Sequence, residues 1–214
     1  MGEPVKAPGR RERKAAVTRR RVLDAAESLF VRDGYAATTI TAIAEEADVA
    51  VQTVYAVFGN KRTILTKLLA ARVVGGDEGR PLADRAEWQE MEHERDPRRQ
   101  VTLLAALAAR IGSRMGALYD VLATAAGSDP EIAQLYQRQQ VLRYDDQRRV
   151  ARLLAARHAL RPGLTEARAA DIMWAIANPA MHRTLVGERN WDAREYEQWL
   201  ARLLTCALLT SPPD

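Results

Sequence analysis

A chain of 214 residues, 47% hydrophobic but only 6% aromatic, can bury a sizeable core and is rich in helix-forming Ala, Leu, Arg and Glu; an all-α fold is expected. The formal charge of +4 is unevenly spread: residues 1–21 hold eight Lys or Arg against two acids, leaving −2 for the other 193. The single cysteine, Cys206, excludes an intrachain disulfide framework. No membrane span or signal-peptide core is read from the sequence, so the expected location is a reducing cytoplasm.

In chain order, residues 1–17 carry Pro4, Pro8, Gly9 and dense charge without apolar periodicity, and are expected to form a flexible basic arm. From about Thr18, the residues Val22, Ala25, Ala26, Leu29 and Phe30 fall on one face of a first helix, which Asp33-Gly34 should stop. Thr38 or Thr39 can cap a short second helix whose inner face is Ile40, Ile43, Ala44 and Ala47. A turn at Asp48-Val49 leads to a third short helix carrying Gln52, Thr53 and Tyr55. Gly59 ends it, and Asn60 can cap a fourth helix with Ile64, Leu65, Leu68 and Leu69 inside.

Gly75-Gly76 to Pro81 reads as a loop. Further helices are expected near 83–94, 98–126, 130–158, 165–188 and 192–209, about nine in all. They are punctuated by Asp96-Pro97, Asp129-Pro130, Arg161-Pro162-Gly163 and Asn190-Trp191-Asp192, with Cys206 buried in the last. Residues 18–62 thus form a helix-turn-helix domain, and 63–214 a larger helical domain.

A basic segment, a helix, a capped short helix, a turn and a second short helix with exposed Gln, Thr and Tyr describe a reader of double-stranded DNA. Basic side chains, Arg19 and Arg20 among them, attract phosphate; the third helix enters the major groove. A three-helix bundle with no nucleic-acid role fits the same pattern. A small helical enzyme is disfavoured, since His93, His158 and His182 are dispersed and there is no glycine-rich phosphate loop. A structural DNA binder is disfavoured by the balance of 21 basic and 20 acidic residues beyond residue 62. No cofactor or metal is expected.

The stretch Val22 to Leu65 resembles the tetracycline-repressor (TetR) family of bacterial regulators, through Gly34-Tyr35, Thr38-Thr39-Ile40, Ile43-Ala44, Ala47, Val49, Thr53-Val54-Tyr55, Phe58 and Asn60-Lys61. The resemblance implies that Val51 and Gln52 face bases, while Thr38, Thr39, Thr53, Tyr55 and Lys61 bind phosphates. Gln can bridge N6 and N7 of adenine, and Val51 can pack on a thymine methyl. Asp48 stands where the family usually has glycine, Ala50 where it usually has a capping serine, and Ala56 and Val57 where it often has aromatic or histidine side chains. Asp tolerates the left-handed turn; Ala50 removes a cap acceptor from the reading helix.

The resemblance also implies a ligand-responsive repressor that binds a palindromic operator as a homodimer; an activator of the same fold remains open. The apolar last two helices, 165–188 and 192–209, would join two copies. Helices 98–126 and 130–158 with the connecting helix 61–74 would enclose a small-molecule effector. Its candidate contacts are Trp88, Met91, Leu107, Ile111, Met115, Tyr119, Leu122, Tyr144, Trp174, Asn178 and His182, for each of which, taken singly, core packing is the commoner role. Pro179 is expected to kink helix 165–188, so that Asn178 and His182, four residues apart, point the same way.

Overall fold

Alternating apolar positions spaced three and four apart dominate the chain, and the computed structural model, which describes residues 9–74 and 82–210, turns each such stretch into a helix. Lys6 and the rest of residues 1–8, and the expected loop from Gly75 to Pro81, lie outside the described residues. The helices are α1 (Arg10–Ala37), α2 (Ile40–Glu46), α3 (Val51–Phe58), α4 (Lys61–Val74), α5 (Ala86–His93), α6 (Pro97–Ala126), α7 (Pro130–Ala156), α8 (Glu166–Ile176), α9 (Pro179–His182) and α10 (Ala193–Leu208). A 3-10 turn, Leu82–Asp84, precedes α5, and a π-helical segment, Arg183–Glu188, extends α9. Leu160 and Leu209 form a single antiparallel bridge.

The expected arm is in part helical: α1 begins at Arg10, eight residues before Thr18, because Arg, Lys and Ala between 10 and 17 are good helix formers. Gly34 breaks α1 as expected, with φ 81 and ψ 161, a conformation that a side chain disfavours. The proline in 165–188 does not kink a helix. α8 ends at Ile176, Asn178 caps α9 by accepting from the Ala180 amide at 2.9 Å, and Pro179 takes the first helical position. Caps at Asp96, Asp129 and Asp192 are formed as their sequence contexts suggest.

Two clusters of buried side chains organise the molecule. The first joins Val22, Ala26, Leu29 and Phe30 of α1, Ile43 and Ala44 of α2, Val54 and Phe58 of α3, and Ile64, Leu65, Leu68 and Leu69 of α4. It continues into Met115, Leu118 and Leu122 of α6 and Ile132 and Leu135 of α7. The small N-terminal bundle is therefore seated on one end of α6, and α4 belongs to both sides of the boundary expected at residue 62. Ion pairs reinforce this joint: Arg72 holds Asp24 at 2.8 Å and also Glu27, and Arg62 holds Glu131.

The second cluster wraps the other half of α6, with Trp88, Met91, Val101, Leu104, Val150, Leu154, Met173 and the α10 stripe Tyr196, Leu200, Leu204 and Leu208. α6 is long and apolar enough to cross a membrane by length and composition, contrary to the sequence reading. Half of that apolar window is buried inside the fold, where it serves as the central core helix. α9 crosses it closely at Gly112, where a Cβ would lie 2.7 Å from Cβ of His182. Cys206 is exposed on the surface of the single chain rather than buried, because it lies off the α10 stripe that packs on α6.

Candidate nucleic-acid interface and effector cavity

The α2–α3 turn depends on a residue that tolerates positive φ. Asp48 supplies it at φ 51, and its carboxylate accepts from Arg21 at 2.9 Å, which ties the turn back to α1. Thr39 caps α2 by accepting from the Ala42 amide at 3.1 Å. Ala50 precedes α3 without a side-chain cap, so the first amides of α3 stay open for another acceptor. Val54 and Phe58 fix α3 in the core, and the opposite face presents Gln52, Tyr55 and Ala56 to solvent, Tyr55 with 53% exposure. Arg19 and Arg20 are exposed on α1, Arg20 within 3.8 Å of Asp24.

The remaining expected DNA contacts are buried or partly buried in the single chain. Thr38 is only 3% exposed, and its hydroxyl donates to the Gly34 carbonyl at 2.8 Å, closing the turn after α1. The Lys61 ammonium donates to the carbonyls of Tyr35 (2.6 Å), Ala36 (3.3 Å) and Thr38 (2.7 Å) and sits 4.4 Å from the centre of the Tyr35 ring. Burial pulls its pKa below the usual lysine value. Its three protons are committed to the turn, so in this conformation Lys61 holds α4 to the end of α1. Val51 packs partly against the core, and Thr53 is half-buried.

In the larger domain, a cavity of about 390 Å³ opens between α4, α5, α6 and α7. Of the side chains expected there, Trp88, Leu107, Ile111, Met115, Tyr119 and Leu122 line it. The other five do not. Met91 is fully buried in the second cluster, and the Tyr144 hydroxyl donates to Asp171 at 2.9 Å. The Trp174 ring lies under the Arg143 guanidinium, 4.6 Å away, and Asn178 is spent as the α9 cap. His182 is 7% exposed, packed edge-on against Tyr196, with burial lowering its pKa.

The sequence reading placed helix 130–158 beside the effector but named only Tyr144 from it, and missed the α7 side chains that form the wall, Gln139, Leu142, Arg143, Asp146 and Gln147. These positions follow the helical spacing of one face, but a face so polar reads as a solvent face. Arg143 donates to the Trp174 carbonyl at 2.6 Å, the Ala177 carbonyl at 3.5 Å and Gln140 Oε1 at 3.3 Å. Tyr119 accepts from Gln140 and lies 3.3 Å from the Tyr136 hydroxyl; burial pushes its pKa up to about 12. Burial likewise pushes the Asp146 carboxyl up to about 6, against the field of Arg149. No cluster of metal-ligating side chains occurs among the described residues.

Residues 22–68 match a known family, described as bacterial regulatory proteins of the tetR family. An uncharacterized HTH-type transcriptional regulator of Bacillus subtilis (strain 168), YvkB, is 45% identical over 53 residues; these are 25% of this chain and 28% of the relative, so the match spans just over a quarter of that protein. The fold as a whole is similar to that of NalD of Pseudomonas aeruginosa, described as the secondary repressor of the MexAB-OprM multidrug efflux pump. The two share 22% identity and a TM-score of 0.65, over 90% of this chain and 96% of that one. It is also similar to FadR of Bacillus subtilis in complex with stearoyl-CoA, with 16% identity and a TM-score of 0.67, over 88% and 98% of the two chains.

Proposed function

We propose that the chain is a member of the TetR family of bacterial regulatory proteins, whose pattern residues 22–68 match, and that it is a ligand-responsive transcriptional repressor that binds a palindromic operator as a homodimer. The observation that carries this reading is the double duty of α4. One of its faces, Ile64, Leu65, Leu68 and Leu69, is core of the helix-turn-helix unit, and its far end, Ala70 and Val73, is wall of the cavity. A molecule that enters the cavity must press on the same rigid element that seats α3, and a packed element of this kind shifts rather than deforms. A DNA-reading surface and an effector site are thereby linked by one helix.

On DNA, α3 would present Gln52 to base edges in the major groove, with Tyr55 and Thr53 toward the backbone. Thr39, Arg19 and Arg20 would add phosphate contacts, while Thr38 and Lys61 would hold the frame that aims α3. Pairing of two copies through α8 and α10 is supported by Ile172, Ile176 and Trp199, which stay only partly buried in the single chain. A DNA partner places the protein with the chromosome, in the cytoplasm. Selection of binding sites from a pool of random duplexes tests the reading. Enrichment of a palindrome with half-sites about one DNA turn apart is expected; an unenriched pool would refute it.

A further inference from the structure

The polar groups of the cavity are unequally answered. Arg143 donates through its two Nη groups to two carbonyls and the Gln140 side chain and lies on the face of Trp174, with only its Nε left buried and without a partner. Asp146, one turn further along α7, has neither a hydrogen-bond donor nor an ion pair among the described residues. Among the described residues, the cation whose field reaches it is Arg149, which is bound through Nε and an Nη group to Glu92. Next to it, Gln147 is only 7% exposed, and its Oε1 is buried without a partner. A carboxylate and an amide oxygen, adjacent on one helix and both in the cavity wall, are two acceptors waiting for a donor. Burying the Gln147 oxygen unmet is costly unless something completes it, and the half-buried Asp146 carboxylate beside it lacks a donor as well.

From this we infer that the cavity selects a lipophilic cation, a protonated amine whose N–H groups donate to Asp146 and Gln147 while its apolar body lies among Leu104, Leu107, Ile111 and Met115. The inference rests on the reading of this cavity as the effector site and adds its charge class. The apolar side of the match is supplied by the α6 wall. At the Asp146 end of the cavity an anionic head group would meet a carboxylate that pairs with no cation among the described residues, where low dielectric magnifies repulsion. The Trp88 indole N–H, also buried without a partner, leaves room for one acceptor on the ligand body.

The test uses the full chain and three probes with one apolar body: decylamine, 1-decanol and decanoate, titrated by calorimetry near neutral pH. Decylamine is expected to bind about tenfold or more tightly than decanol, and Asp146→Asn is expected to remove that advantage while decanol binding is kept, which also shows that the variant is folded. Gln147→Leu should weaken the amine alone, by a smaller factor. Equal binding of amine and alcohol, or preference for decanoate, overturns the inference while leaving the cavity an effector site. Binding of none of the three overturns both the inference and the effector-site reading.

Discussion

Asp146 should hold the folded protein below its attainable stability at neutral pH. Its carboxyl ionises near 6 in the fold against an ordinary value of 3.8, because the cavity wall strips it of water. Between these values the folded state binds more protons than the unfolded state, so stability falls as pH rises through the window and stays lowered above it. At about 1.4 kcal/mol per pH unit, the gap corresponds to roughly 3 kcal/mol, an upper figure for a carboxyl still partly open to water. Asp146→Asn cannot ionise and should recover most of this. For a chain of this size, that raises the melting temperature by roughly 4–10 °C near neutral pH. Melting of both proteins by circular dichroism from about pH 4 to pH 8 gives the difference directly: largest above about pH 7, vanishing near pH 4. A difference that does not change with pH, or a variant less stable than the parent at neutral pH, would refute the assignment of an unmet carboxylate.

Other substitutions probe the DNA-reading unit and its seat. Lys61→Ala should lose roughly 1.5–3 kcal/mol of stability, because three carbonyls lose a charged donor; an unchanged melting temperature with weakened DNA binding would instead make Lys61 a phosphate contact. Gln52→Ala should relax preference at one position of each half-site by about 1–3 kcal/mol, read by competition among single-base variants of the selected site; unchanged preference would remove Gln52 from the base-reading set. Gly112→Ala drives a methyl into His182 and should cost roughly 1–3 kcal/mol; a melting temperature equal to the parent's would show that α9 yields freely.

Much of the fold is legible because helix periodicity and caps are local. Val22 to Phe30, the Asp129-Pro130 cap and the Gly34 stop each need only neighbours in sequence, and each forms as its spacing implies. Left-handed Asp48 was legible for the same reason. What required the third dimension was the fate of polar atoms. Nothing near Lys61 in sequence reveals that carbonyls 23 to 26 residues earlier will claim its ammonium. Asn178 and His182 were placed on one helix face only by assuming an unbroken helix; with Asn178 as a cap, His182 turns to Tyr196 and Gly112. The apolar half of the cavity was readable from α6, whereas α7 hides its inner face behind Gln139, Arg143, Asp146 and Gln147.

The central claim, a dimeric reader of palindromic DNA, is tested most directly by titrating the full chain against its selected duplex and a scrambled duplex at fixed salt, with stoichiometry and affinity taken from fluorescence anisotropy. Two chains per duplex are predicted, with the selected sequence bound about a thousandfold or more tightly than the scrambled one. One chain per duplex, or equal affinity for both sequences, would contradict it.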